Sequence, residues 1–192
     1  MSAKKISTKK HLSTKHSSTK SLDQELDIVD LILEDHKPLK ELIEVMKDTD
    51  NSLADRKSAY EEFAPLLAKH AKPEEQILYV HMKRDKRLRT EGFEGDVEHV
   101  LAEQLVDETK NTADEELWSA RVKVLAELVE HHIEEEEEEL LPKFRKFSTR
   151  EDRVAMGIEF LDAKDNTLDD GNERIPHKSE DENSIIKEEL YA

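Results

Sequence analysis

Apolar residues recur every three or four positions in four successive stretches of this chain, which is the spacing of one face of an α-helix. The first two stretches run from Asp23 to about Asp48 and from about Leu53 to Met82. The third begins at Asp96, a favourable N-cap residue, and the fourth begins near Asp114 and has Pro142 near its end. The pattern therefore predicts four amphipathic helices.

Proline, glycine and capping residues predict where these helices are interrupted or joined. Pro38 should bend the first helix and Pro73 should interrupt the second, because proline removes a backbone hydrogen bond. The segment from Arg84 to Gly95 is rich in Lys and Arg and contains two Gly, so we expect a long connection there. Ser148 and Glu151 have capping-box spacing ahead of further apolar residues and predict a short fifth helix that covers the bundle.

The composition favours one all-α domain with polar tails. Only four Gly and five Pro occur in 192 residues, and 35% of the residues are hydrophobic, so the core must come from periodic stripes. No stretch approaches the roughly 20 apolar residues that cross a membrane. We predict an up-down-up-down four-helix bundle, with a basic disordered tail over 1–21, the bundle over 22–147, a covering helix over 148–164 and an acidic disordered tail over 165–192.

Charge and cysteine content limit the partners and the chemistry. A net charge of −17 disfavours non-specific nucleic-acid binding by the bundle. The N-terminal tail has six Lys and no acidic residue, so it is either a solubilising extension or a segment that contacts anionic surfaces. The absence of Cys leaves imidazole and carboxylate as the metal-binding side chains, and it is consistent with a reducing compartment, so we expect a cytoplasmic protein.

Six polar residues fall on the apolar stripes of the predicted helices. They are His36, His70 and Glu74, His99, and His132 and Glu136. Each carboxylate follows its histidine by four residues, so both side chains lie on one helix face. Polar groups in such positions are costly unless a hydrogen bond or a cation satisfies them. With up-down helices the four imidazoles lie at similar heights, and the mixed nitrogen and oxygen set suits two ions of iron, manganese or zinc.

Less specific interpretations of the same residues exist. A single core histidine such as His36 is more often hydrogen-bonded than metal-bound, and Glu134 to Glu139 could be a solvated acidic run. Six consecutive glutamates cover every side of a helix, however, so at least one must face the neighbouring helices. His131 lies about 100° around the helix from His132 and should be exposed, and His81 is too far from Glu74 to join the site.

Three sequence blocks resemble the hemerythrin-like, HHE cation-binding domain family. They are HAKPE (70–74), EHVLAE (98–103) and HIEEEEEELLP (132–142), and the resemblance extends from about Asp23 to Phe147. It implies a four-helix bundle around a non-haem di-iron site with an oxo or hydroxo bridge. In that site Glu74 and Glu136 would bridge the ions, and the four stripe histidines would be terminal ligands.

Two positions depart from the oxygen-carrying members of that family. Glu103 stands where those proteins have a second histidine, and the carboxylate of the fourth helix is Glu136 rather than an Asp one residue further along. A more anionic site favours the ferric state and weakens the case for reversible oxygen carriage. Glu103 is therefore a candidate for a further ligand.

These observations lead to three hypotheses about function. The first is a di-iron protein that senses or reacts with a small oxidant such as oxygen, peroxide or nitric oxide, with no separate catalytic residue. The second is an iron-storage or iron-responsive regulatory module, in which metal occupancy controls folding and partner binding. The third is a metal-free helical interaction module.

Overall fold

The computed structural model describes residues 26–167, and within that range the protein is all-helical. Both tail predictions lie outside the described residues, apart from the first residues of the C-terminal tail. The segments, in chain order, are α1 (Ile28–Lys47), α2 (Leu53–Pro73), a π-helical turn π1 (Glu74–Leu78), α3 (Tyr79–Arg84), α4 (Arg89–Lys110), α5 (Glu115–Glu135), a second π-helical turn π2 (Glu136–Leu140), α6 (Leu141–Phe147) and α7 (Arg150–Thr167).

Short polar side chains fix the starts of three of the long helices. The carboxylate of Asp27 accepts a hydrogen bond from the backbone N–H of Val29 at 3.1 Å, so α1 begins at Ile28. Ser52 caps α2 in the same way, and the carboxylate of Asp114 caps α5. Each satisfies a backbone donor that has no partner within the first helical turn. The predicted start of the fourth helix near Asp114 is confirmed.

The long connection predicted from Arg84 to Gly95 is wrong. Only residues 85–88 separate α3 from α4, and α4 begins at Arg89 rather than at Asp96. Gly92 and Gly95 lie inside α4, where a methyl group on Gly92 would be 3.1 Å from Cβ of Met82. These glycines therefore allow close packing of α4 against α3 and do not break the helix.

The structure also corrects the expectations for the covering helix. The hydroxyl of Thr149 accepts a hydrogen bond from the backbone N–H of Asp152 at 3.1 Å, so Thr149, and not Ser148, caps α7. The hydroxyl of Ser148 instead donates to the carbonyl of Phe144 at 2.7 Å, at the end of α6. The helix reaches Thr167 and is longer than the predicted 148–164.

Prolines do not end the helices in which they lie. α1 continues through Pro38, and α2 continues through Pro73 into π1 and α3. π1 follows Pro73 directly, and its hydrogen bonding spans five residues, with the N–H of Tyr79 donating to the carbonyl of Glu74. The chain direction is thus kept while the register of the side chains changes by one residue.

Two hydrophobic clusters form the core, and the predicted site lies between them along the helices. One cluster includes Leu39, Phe63 and Val129, and the other includes Ile32, Leu78 and Leu140. α1 packs against α2 and α5, and α4 packs against α3 and α5. α7 packs on α1 and α2. Among residues 26–167, every helix is too short or too polar to span a bilayer.

Candidate metal centre

The six residues that the sequence places on the stripes converge inside the bundle. Each of them is at most 5% exposed to solvent. They form two overlapping groups, one of His36, His70, Glu74 and Glu136 and one of Glu74, His99 and His132, and the candidate ligand atoms within each group lie within 4.8 Å of one another. Glu74 is common to both groups, as expected for a carboxylate between two ions.

The imidazole Nε2 atoms all point toward this common centre. Nε2 of His36 lies 3.2 Å from Oε2 of Glu136, and Nε2 of His70 lies 3.3 Å from Oε2 of Glu74. Nε2 of His99 is 3.6 Å from Oε2 of Glu74 and only 3.0 Å from Nε2 of His132. The HxxxE spacing on α2 therefore delivers both side chains to one site despite the intervening Pro73.

The Nδ1 atoms face outward, and each meets a carboxylate. We call these four residues the carboxylate ring: Asp35, Glu75, Glu98 and Glu137. Nδ1 of His132 donates to Glu98 at 2.6 Å, and Nδ1 of His36 donates to Glu137 at 3.0 Å. Nδ1 of His99 lies 3.3 Å from a carboxylate oxygen of Glu75. Nδ1 of His70 lies 3.8 Å from a carboxylate oxygen of Asp35.

The carboxylate ring connects the helices in a closed order. α1 contributes Asp35 to His70 on α2, and π1, which continues α2, contributes Glu75 to His99 on α4. α4 in turn contributes Glu98 to His132 on α5, and π2, which continues α5, contributes Glu137 to His36 on α1. Each Nδ1 thus faces a carboxylate of a neighbouring helix and not of its own, and those of His36 and His132 are hydrogen-bonded to it.

Electrostatics keep the carboxylate ring ionised. The hydrogen bond from His132 lowers the pKa of Glu98. Burial alone would raise the pKa values of Asp35, Glu75 and Glu137, but the neighbouring His70, His99 and Lys40, respectively, lower them. A carboxylate accepts hydrogen bonds only, so the histidine proton belongs on Nδ1, and the Nε2 lone pair is directed at the centre.

The pKa values of the buried groups His70, Glu74 and Glu136 show that the centre lacks positive charge. Burial lowers the pKa of His70 to about 4, which makes this imidazole neutral at physiological pH. Burial, and then the charge of Glu136, raise the pKa of Glu74 well above its usual range. For Glu136 burial would raise the pKa, but the interactions with His132, His36 and His70 together outweigh burial and lower it. The two carboxyls therefore repel each other, and a single proton on Glu74 relieves the repulsion.

The polar atoms of the centre fit a cation. Nε2 of His36 and His70, both carboxylate oxygens of Glu74 and Oε2 of Glu136 are buried without a hydrogen-bond partner. Buried acceptors without partners are rare in proteins, and each costs free energy. Nε2 of His99 and Nε2 of His132 lie only 3.0 Å apart, so a proton or a metal ion has to lie between these two nitrogens. The donor set of imidazole nitrogen and carboxylate oxygen suits iron, manganese or zinc.

Tyr79 is a site residue that the hydrophobic pattern does not reveal. Its hydroxyl donates to Oε1 of Glu136 at 2.8 Å, and it lies 3.3 Å from Nε2 of His99 and 3.4 Å from Nε2 of His132. Gly95 leaves the space for its ring, because a methyl group at Gly95 would be 2.5 Å from Cζ of Tyr79. Burial, and then the charge of Glu136, raise the pKa of Tyr79, so it keeps its proton.

Three further polar residues lie outside the cluster. The side chain of Glu103 is 54% exposed and lies 3.6 Å from Nζ of Lys72, so it does not join the buried group. The side chain of His131 is 65% exposed, which confirms the expectation drawn from its position beside His132. His81 packs its ring against Phe144, with the ring centroids 5.9 Å apart.

Comparison with known families identifies one match. The family described as Hemerythrin, the hemerythrin HHE cation binding domain, matches residues 27–144. This range contains all six buried candidate ligands, the carboxylate ring and Tyr79. Neither the curated proteins nor the solved structures include a match to the chain.

Proposed function

The chain belongs to the hemerythrin HHE cation-binding domain family, and from that premise we propose that it binds two non-haem iron ions and senses or reacts with a small oxidant. In this proposal His36, His70, His99 and His132 are terminal ligands, and Glu74 and Glu136 bridge the two ions. Oxygen, peroxide and nitric oxide are the candidate oxidants. The chain has no Cys, which accords with a reducing compartment such as the cytoplasm.

One observation carries the proposal. Four Nε2 atoms and two carboxylates face one another in the core, while every Nδ1 faces a carboxylate on its outer side. Outer carboxylates of this kind orient metal-bound imidazoles and increase their basicity. A metal-free helical module would gain nothing from such an arrangement, because it buries two carboxylates and satisfies them poorly.

We further propose the up-down-up-down order for α1, α2, α4 and α5. The connections between successive helices are short, at 48–52, 85–88 and 111–114. Short connections favour antiparallel neighbours in helical bundles. The convergence of His36, His70, His99 and His132 at one depth supports the same order.

A bound iron pair would supply electrons to the oxidant. The protein restricts access to that centre and holds one proton beside it. Tyr79 keeps its hydroxyl proton 2.8 Å from Glu136, where it can orient this carboxylate and donate to an incoming ligand. A narrow groove between α2 and α4 reaches His99 and is lined mainly by small apolar residues, Ala64, Ala68, Ala71 and Ala102 among them. Such a groove admits small uncharged molecules and excludes larger ones.

The experiment compares iron content and optical spectra after anaerobic reconstitution with ferrous iron followed by exposure to peroxide or nitric oxide. Roughly two iron ions per chain are expected for the wild type. His132→Ala and Glu136→Ala should lose most of this iron, since each removes a ligand. His131→Ala and Glu138→Ala are matched controls, because both residues are exposed neighbours of the proposed ligands, and both variants should keep it.

The outcomes separate the three hypotheses. An absorption spectrum that changes on adding the oxidant supports the oxidant-linked function. Stable iron with an unresponsive spectrum favours storage or iron-responsive regulation. Fewer than about one iron per chain in the wild type would overturn the metal proposal and leave the interaction module.

A further inference from the structure

The four corners of the carboxylate ring differ in what lies outside them. Nζ of Lys164 is 2.5 Å from Oδ1 of Asp35 and 2.6 Å from Oδ2. Lys40 bonds both carboxylate oxygens of Glu137 at 2.8 Å, and Lys72 bonds Glu75 at 3.3 Å. A cation that approached the centre at any of these three corners would meet a lysine ammonium group first.

The fourth corner, at Glu98, is different. Glu98 bonds His132 on its inner side, and no lysine or arginine of residues 26–166 contacts it. Outside it lies an acidic cleft between α4 and the α5–π2 segment, lined by Glu91, Glu94, Glu98, Glu135 and Glu139. Lys143 also lines the cleft and pairs with Glu91, so the carboxylates outnumber the cations there.

The inner end of the acidic cleft is the metal centre itself. His132 and Glu136 line the cleft, although they are only 4% and 1% exposed. Oε2 of Glu136 is buried and has no hydrogen-bond partner. The cleft therefore joins a row of solvent-exposed carboxylates to an unsatisfied carboxylate of the proposed iron site.

We propose that ferrous ions reach the centre through the acidic cleft, with Glu94 and Glu139 attracting them from solvent and Glu98 passing them to His132 and Glu136. This inference rests on the proposed iron-binding function. Carboxylates along a cleft with low-dielectric walls raise the local concentration of cations and their rate of entry. The three lysine-backed corners disfavour the same ion. The groove between α2 and α4 is lined mainly by apolar residues, and Lys72 pairs there with the two carboxylates, Glu75 and Glu103.

The test measures iron uptake and not activity. Metal-free protein is mixed with Fe²⁺ under anaerobic conditions, uptake is stopped at set times with a ferrous chelator, and bound iron is measured after desalting. Glu94→Gln/Glu139→Gln should slow uptake by roughly three- to tenfold, because it removes two of the cleft charges. The iron bound at the end should equal that of the wild type, because neither residue is a proposed ligand.

A matched variant, Glu41→Gln/Glu62→Gln, controls for net charge. It removes the same charge from exposed positions of α1 and α2, away from the cleft, and should change the rate by less than about twofold. Added salt should slow the wild type toward the rate of the cleft variant, because salt screens exposed charges. The single substitution Glu94→Lys reverses the charge at this exposed position. It should therefore slow uptake more than the single substitution Glu94→Gln, which only removes the charge.

Each remaining outcome has a definite meaning. Equal uptake rates for the wild type, the cleft variant and Glu94→Lys would overturn the cleft as the route. Slow uptake with a reduced final iron content would overturn it as well, by placing Glu94 or Glu139 among the ligands. A wild type that takes up no iron would overturn the proposed function itself, and the proposed route with it.

Discussion

At the scale of single residues, Glu74 carries the largest conflict in the metal-free protein. Its side chain is fully buried, both of its oxygens lack a hydrogen-bond partner, and Glu136 lies in the same cluster. Breaking or leaving incomplete a buried charge network costs several kcal/mol. A cation between the carboxylates would remove the conflict, and a proton on Glu74 removes part of it.

Glu74→Gln should therefore bind little iron and yet stabilise the metal-free protein at neutral pH. The pKa of Glu74 is raised on folding above its ordinary value of 4.5, so above that pH the unfolded chain releases a proton that the folded chain keeps. The free energy of unfolding of the metal-free wild type therefore falls as the pH rises above 4.5. Glutamine does not titrate, so the substitution abolishes this pH dependence. Urea unfolding of both proteins at pH 4.5 and pH 7.5 measures this difference in the free energy of unfolding.

The control for this comparison is Glu62→Gln, an exposed substitution in α2, the helix that leads into π1. Its difference from the wild type should be the same at both pH values. A Glu74→Gln variant no more stable than the wild type at pH 7.5 would contradict the account of Glu74 as a strained buried carboxyl.

The clustering of the six proposed ligands in the core could be predicted from sequence, because these residues interrupt apolar stripes. Each residue of the carboxylate ring is the direct sequence neighbour of a proposed ligand. The pairs are Asp35 and His36, Glu74 and Glu75, Glu98 and His99, and Glu136 and Glu137. Residues next to a stripe are ordinarily solvated, and these four acquire a partner only when a neighbouring helix presents its Nδ1. Their role therefore depends on helix packing that a single-sequence pattern does not contain.

At the scale of elements, the two π-helical turns each begin on a proposed bridging residue. Glu74 starts π1 and Glu136 starts π2. A π-helical turn accommodates one residue more than an α-helical turn, and such turns often occur at functional sites. Here each turn changes the register between the helix that carries the proposed ligands and the core residues Leu78 and Leu140.

Deleting Glu138 from π2 should abolish iron binding without unfolding the helix. The residue is exposed, and its loss allows a regular α-helix that rotates Glu136 and Glu137 relative to Leu140 and Phe144. Far-ultraviolet circular dichroism should show unchanged helix content, while iron per chain should fall at least severalfold. Glu138→Ala, which keeps the chain length, should bind iron as the wild type does; equal iron in the deletion variant would refute a role for the turn.

The elements themselves were predicted with unequal success. The apolar stripes predicted the helices that begin at Leu53 and Glu115, whereas the first helix, predicted from Asp23, begins at Ile28. Gly92 and Gly95 resemble helix breakers in the sequence, whereas in the structure they meet Met82 and Tyr79 across a helix contact. The sequence pattern did not indicate the π-helical turns, because one extra residue in a turn still leaves apolar side chains at helical spacing.

At the scale of the whole molecule, the polar centre separates two hydrophobic clusters that otherwise share the same helices. The helices are thus held together by apolar packing at both ends and by the His and Glu side chains between. Without a cation this middle layer is the least satisfied part of the described core. Ligand binding to the folded state alone raises its stability by mass action.

Iron loading should therefore raise the thermal midpoint of the bundle. At free iron one hundredfold above Kd the gain is about 2.7 kcal/mol, which corresponds to roughly 5–10 °C for a chain of this size. Thermal melts of metal-free and loaded protein measure it. His131→Ala should show the same shift and His132→Ala almost none; equal melts for loaded and metal-free wild type would contradict a structural contribution of the metal.

The closed order of the carboxylate ring limits how these helices can be exchanged among relatives. A transplanted α4 brings His99 and Glu98 together, but its imidazole depends on Glu75 of the host and its carboxylate serves His132 of the host. A contact that is lost in one helix consequently also removes the partner of a residue in the next helix around the ring. A chimera that replaces only one of the four helices therefore alters the contacts of two imidazoles.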